Sequence, residues 1–185
     1  MAQSKFIQSV VKAAKGRPRS TQWFRDKIAE FGKPGAMDLI RDGKRDNEPF
    51  FGRLNMFFYD PKFKKTLPYY DTFPLVLPID TMRGGFIGLN FHYLPYGARF
   101  AFLQQLQTLA SNSKFDQSTK IQASYDSIKS NKYVKASIKR YLYSQVRSQF
   151  LRVDVNEMAL AAYLPVAQFQ GATIGSVFAK SRKTY

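Results

Sequence analysis

The chain has 185 residues, with 29 Lys and Arg against 13 Asp and Glu, one histidine and no cysteine, for a formal charge of +16. That length suffices for one domain with a proper core, and a 16% share of aromatic residues argues against a chain that stays unfolded. The missing cysteines exclude a disulfide framework and a thiolate site, lone His92 cannot build a histidine-rich metal site, and no apolar run approaches the roughly 20 residues that span a bilayer.

Residues 1–48 read as a basic N-terminal arm of short helices. The stretch MAQSKFIQSVVKAAKG lacks the long apolar core of a secretory signal. Phe6, Val10, Val11 and Ala14 recur at helical spacing over 4–15. Gly16 stops that helix, and the proline restriction extends Arg17-Pro18-Arg19. Ser20 or Thr21 can cap a second helix carrying Trp23, Phe24, Lys27, Ile28 and Phe31, which Gly32 and Pro34 end. RDGKRDNE at 41–48 is polar throughout, apart from one glycine, and reads as a linker.

Residues 49–185 read as one domain, a β-module followed by helices. Residues 54–59 form an aromatic-rich strand, and Asp60-Pro61 opens a turn into a basic excursion over 62–67. A second strand covers 73–79. Pro74 and Pro78 remove ladder donors, so it lies at an edge or carries a bulge. Residues 80–85 turn the chain through Gly84-Gly85 into a third strand over 86–94. Phe100, Leu103, Leu106, Leu109 and Ala110 predict a helix over 97–111. Residues 112–119 are a polar loop, and 121–125 a strand. Val134, Ile138, Leu142 and Val146 share one face of a predicted helix over 133–147. Residues 150–153 are a short strand, and Asp154 with Glu157 forms a capping box opening a helix that Pro165 ends. Residues 166–185 show no firm periodicity. The expected fold class is α+β: a small aromatic-rich β-meander or SH3-like barrel, with C-terminal helices and an extended helical N-terminal arm.

No catalytic set emerges. Asp60, Asp71 and Asp80 each lie beside a turn or proline, where capping accounts for them. His92 alternates with Phe91 and Tyr93 and reads as a hydrogen-bonded structural histidine. Gly84, Gly85 and Gly88 lack the spacing of a dinucleotide loop. The charge is more telling. Residues 1–48 hold 11 basic and 6 acidic side chains, net +5, and residues 102–152 hold 9 and 2, net +7. Such an excess favours a polyanion or a strongly acidic protein surface. Lys132, Lys135, Lys139, Arg140 and Arg147 with Tyr133 and Tyr141 combine charge and stacking surface, and Lys62, Lys64 and Lys65 around Phe63 do the same on the excursion. In the arm, Arg17, Arg19 and Arg25 with Trp23 and Phe24 offer an assembly contact. No cofactor and no metal are expected.

The runs FFYDPKFKKTLPYYDTFPLVLPI, GFIGLNFHYLPYGAR, IKRYLYSQVRSQFL and YLPVAQF resemble a family of structural proteins of tailed, myovirus-like bacteriophages, over roughly residues 55–182. Members of that family are described as virion proteins or as DNA-end-associated proteins. The resemblance brings no catalytic residues. It implies a non-enzymatic virion component of the neck, tail or baseplate region, made in the host bacterial cytoplasm. Such a component would assemble in several copies with other virion proteins through its β-module and arm. The alternative is a DNA-binding protein that protects or coats phage DNA ends. A nuclease would need clustered carboxylates to hold Mg²⁺.

Overall fold

The computed structural model describes residues 35–111, 132–153 and 158–183, with positions 26, 29 and 30 upstream, all three helical. The first arm helix, the rest of the second, the 112–119 loop, the 121–125 strand and the Asp154–Glu157 capping box lie outside the described residues. So do the arm candidates Arg17, Arg19, Trp23, Phe24 and Arg25.

Helix α1 (Ala36–Asp42) buries Ala36, Leu39 and Ile40, and strand β1 (Arg45–Asp46) follows at once. The linker expected at 41–48 is therefore the end of a helix and an edge strand. Polarity misleads here because an edge strand facing water carries charged side chains. Strands β2 (Asn55–Met56), β3 (Tyr70–Asp71), β4 (Leu75–Met82) and β5 (Gly85–Asn90) come next. The β4–β5 reversal is a tight turn at Arg83-Gly84, with Gly84 at φ 74° where an L side chain would be strained. β4 is central rather than an edge, and its register shifts between Pro78 and Asp80, so a bulge absorbs the missing proline donor. The third strand stops at Asn90, four residues short of expectation. The Asn90 side chain accepts from His92 N–H and caps a 3-10 turn at Phe91–Tyr93.

Helix α2 (Tyr96–Ser111) follows, then a short α3 (Lys132–Lys135). The helix expected over 133–147 does not form. Residues 138–142 are strand β6 (Ile138–Leu142), paired antiparallel with β5 from Gly85↔Leu142 to Leu89↔Ile138. Ile138, Leu142 and Val146 satisfy a four-residue period and a two-residue period alike. The open edge of β5 decides between them. A 3-10 turn at Tyr143–Gln145 leads to β7 (Phe150–Arg152), α4 (Met158–Tyr163), β8 (Phe169–Gln170) and α5 (Ile174–Lys183).

Among the described residues the main sheet runs β1-β7-β2-β4-β5-β6, antiparallel throughout, and β3 pairs with β8 in a second small sheet. One face of the main sheet carries Leu75, Leu77 and Leu89 against Leu39 of α1, Phe102 and Leu103 of α2, and Leu160 to Leu164. The other face holds a smaller aromatic core of Phe57, Tyr59, Val76, Phe86, Tyr141 and Phe150. The Phe57 ring lies 5.4 Å from Tyr141 of β6 and 4.9 Å from Phe150 of β7. In a flat sheet β6 and β7 would stand roughly 19 Å apart, four strand spacings. The sheet is therefore curled over Phe57. Arg147 N–H donates to Phe58 O at 2.8 Å and Asp60 N–H to Gln145 O at 3.0 Å across the gap. No closed barrel results. The fold is α+β, an antiparallel sheet in which β2, β4, β5 and β6 follow in chain order while β7 inserts between β1 and β2, with helices packed against one face.

Candidate functional site

The excursion that follows Asp60 is pinned. Lys64 N–H donates to Pro61 O at 3.2 Å, Thr66 N–H to Phe63 O at 3.0 Å, and Lys64 Nζ to Asp60 Oδ1 at 2.8 Å. It faces β6 across a cavity of about 590 Å³. Tyr59, Tyr93 and Tyr141, all buried, form the floor. Lys62, Phe63 and Leu67 of the excursion and Lys139 and Arg140 of β6 stand at its mouth, with half-buried Tyr69 and Tyr70 between them. Phe63 is 64% exposed and Leu67 42%, an apolar surface that folding alone does not use.

Electrostatically the cavity is cationic. The one acidic residue that lines it among the described residues, Asp71, is buried and consumed by internal partners. Lys139 Nζ sits 4.2 Å from the Tyr93 ring centroid, a cation–π contact. Burial pulls the Lys139 ammonium below its ordinary value, and among the described residues no carboxylate pairs with it. Burial also pushes the Tyr93 and Tyr141 phenols up, so both stay neutral.

Beneath the cavity a polar network locks the wall. Asp71 Oδ2 lies 2.7 Å from His92 Nδ1 and 3.2 Å from Asn90 Nδ2, while Asp71 Oδ1 accepts from Phe73 N–H at 3.1 Å and Gln168 N–H at 3.2 Å. Burial alone would raise the Asp71 carboxyl, yet His92, Asn90 and the Phe73 amide together hold it below the ordinary range. Burial lowers His92, so a neutral imidazole donates from Nδ1 to an ionised carboxylate. Arg99, 1% exposed, donates to the carbonyls of Leu94 at 2.8 Å, Ala162 at 3.0 Å and His92 at 3.2 Å. Sequence reasoning assigned Asp71 and His92 structural roles without pairing them, and missed Arg99. The signal for Arg99 was its position: it precedes Leu103 by four residues, a cation on the apolar stripe of a helix.

The predicted contact residues distribute unevenly. Lys62, Lys139 and Arg140 line the cavity. Lys64 and Lys65 are exposed on the same excursion, Lys64 already paired with Asp60. Exposed Arg147 reaches Asp60 Oδ2 only at 3.9 Å and donates to Ser144 O at 3.0 Å. Lys135 is exposed on α3, and the side chains of Lys132 and Tyr133 lie outside the described residues. Tyr141, expected as stacking surface, is 3% exposed and packed against Phe57 and Phe86, so it forms floor rather than platform. Asp60 pairs with Lys64, and Asp80 Oδ1 accepts from Thr81 N–H. Among the described residues no three His, Cys, Asp or Glu side chains gather, and no helix is long and apolar enough to cross a membrane.

No curated protein and no solved structure gives a significant match. A family model described as the phage T4 terminal DNA protecting protein matches residues 3–183. The match runs through the excursion, β6 and both cores, and the chain belongs to that phage family.

Proposed function

We propose that this protein binds the ends of linear phage DNA and shields them, acting by occupancy and without catalysis. The observation that carries this reading is the cationic, aromatic cavity between the excursion and β6, with no free carboxylate at its mouth among the described residues, in a member of a family described by terminal DNA protection. Lysines and arginines attract the phosphates, and exposed rings offer a face to bases. This favours the DNA-end role over a neck, tail or baseplate part, since the family description names DNA termini and no place in the particle. The test is digestion of linear duplex DNA by an exonuclease with and without the protein. Protection of linear ends, with stronger binding to linear than to covalently closed circular DNA of equal length, is expected. Equal affinity for both forms and no protection would overturn the reading.

A protein that guards termini must accompany the DNA. On this reading it is made in the host bacterial cytoplasm and resides in the virion in several copies beside other virion proteins. Mass spectrometry of purified particles should find it in fixed stoichiometry, and its absence would remove the virion placement while leaving end binding intact.

A further inference from the structure

The cavity offers more than a basic patch. A volume of about 590 Å³ lies within the roughly 300–1,000 Å³ of pockets that enclose small ligands. It admits a nucleotide or two taken out of the stack, whereas an intact duplex can only rest on its mouth. Two features are otherwise unexplained. Lys139 is half-buried with its Nζ on the Tyr93 ring, and among the described residues no carboxylate pairs with it. Phe63 is a large exposed ring, with Lys62 Nζ 5.5 Å from its centroid, on an excursion pinned by its own turns. A ligand that carries an anion beside a flat aromatic face answers both at once.

We infer that this cavity takes the unpaired terminal nucleotide of a DNA end, its base stacked on Phe63 and Tyr70 and its phosphate held by Lys139 and Lys62. The inference rests on the DNA-end reading and sharpens it: the protein distinguishes an end with a single-stranded extension from a blunt one. Phe63 is the accessible platform, since the floor tyrosines are covered and one face of Tyr69 already meets Lys180 at 5.1 Å. Lys139 is fixed in place because it pairs with Gly88 in the β5–β6 ladder and leans on Tyr93.

The experiment measures binding of the full chain to three duplexes of one sequence: blunt, with a two-nucleotide 5′ extension, and with a two-nucleotide 3′ extension. At least one extended duplex should bind about tenfold or more tighter than the blunt one, as expected for stacking of one base. Phe63→Ala, at an exposed position that leaves the core alone, should bring that ratio close to one. Lys139→Met, an unbranched side chain that removes the charge now resting on Tyr93, should do the same. Equal binding of all three duplexes by the wild type overturns the pocket assignment, and so does an extended-to-blunt ratio unmoved in both variants. If linear ends are still preferred over circles in those cases, the DNA-end reading stands without the pocket. Failure to bind any DNA at low salt removes both.

Discussion

At the scale of single residues, stability rests on a few buried polar groups that composition does not reveal. Arg99 spans α2, the 3-10 turn and α4 through three carbonyls, with its guanidinium 4.6 Å from the Tyr96 ring. Burial lowers its pKa to about 10, still charged at neutral pH. Arg99→Met leaves buried carbonyls without donors, each costing about 1–3 kcal/mol. Arg99→Lys keeps the charge but loses the fork that reaches three acceptors. Both variants should unfold at clearly lower urea concentration, Arg99→Met the lower. The Asp71–His92 pair sets the acid response. Both groups have folded pKa values below their ordinary ones. The unfolded chain therefore binds more protons, and stability is full above about pH 6.5 and falls as pH drops below it, with Asp71 adding its share below about pH 4. His92 is the sole histidine, so the step just below pH 6.5 is its own. Urea midpoints measured between pH 7.5 and 5 should decline in the wild type, and that decline should be largely absent in His92→Gln, whose overall stability is lower.

At the scale of elements, the β5–β6 ladder decides the shape of the site. Gly85 tolerates no side chain, because a Cβ would run into the Tyr141 carbonyl, a backbone atom that cannot step aside. Gly84 has open space but a positive φ. Gly84→Ala should thus cost about 1–2 kcal/mol through strain alone. Gly85→Ala should cost more and loosen β6, carrying Lys139 with it. Thermal melts together with amide exchange at residues 138–142 would separate the two: faster exchange there is expected for Gly85→Ala only. Equal effects of the two substitutions would show that the close approach to Tyr141 is unimportant.

At the scale of the whole molecule, charge and core are laid out separately. The excess of +16 should make DNA binding steeply salt-dependent. If Lys62, Lys64, Lys65, Lys139, Arg140 and Arg147 all meet phosphates, the slope of log K against log salt is roughly −5. The existing Lys64–Asp60 pair makes a somewhat shallower slope the expectation. A slope near zero would mean that these side chains do not touch the backbone of DNA. Leu39 and Ile40 of α1 belong to the main core, and β1 adds Arg45↔Leu151 and Asp46↔Phe150 to the sheet. Deleting residues 1–48 should therefore leave a protein less stable than deleting 1–34, by about 1.5–3 kcal/mol for each of the two buried side chains. Equal urea midpoints for the two truncations would contradict the packing of α1.

What the sequence determined by itself is local. The strands expected over 73–79 and 86–94 lie at 75–82 and 85–90, and the helix expected from 97 starts at Tyr96. These, the glycine turn and the bulge, one of two readings of Pro74 and Pro78, are legible because alternation, a φ that only glycine adopts and a missing donor act over a few residues. The basic clusters were legible as charge counts. The tertiary structure alone decided the rest. Residues 138–142 fit helix or strand, and only the free edge of β5 chose. Lys62 and Lys139 are distant in the chain, and only the curl of the sheet over Phe57 brings the excursion opposite β6. Arg99 and Asp71 look like surface charges in a list of residues, yet are buried because carbonyls and an imidazole from remote segments converge on them. Periodicity is a property of neighbours in sequence, whereas burial and charge compensation depend on neighbours in space.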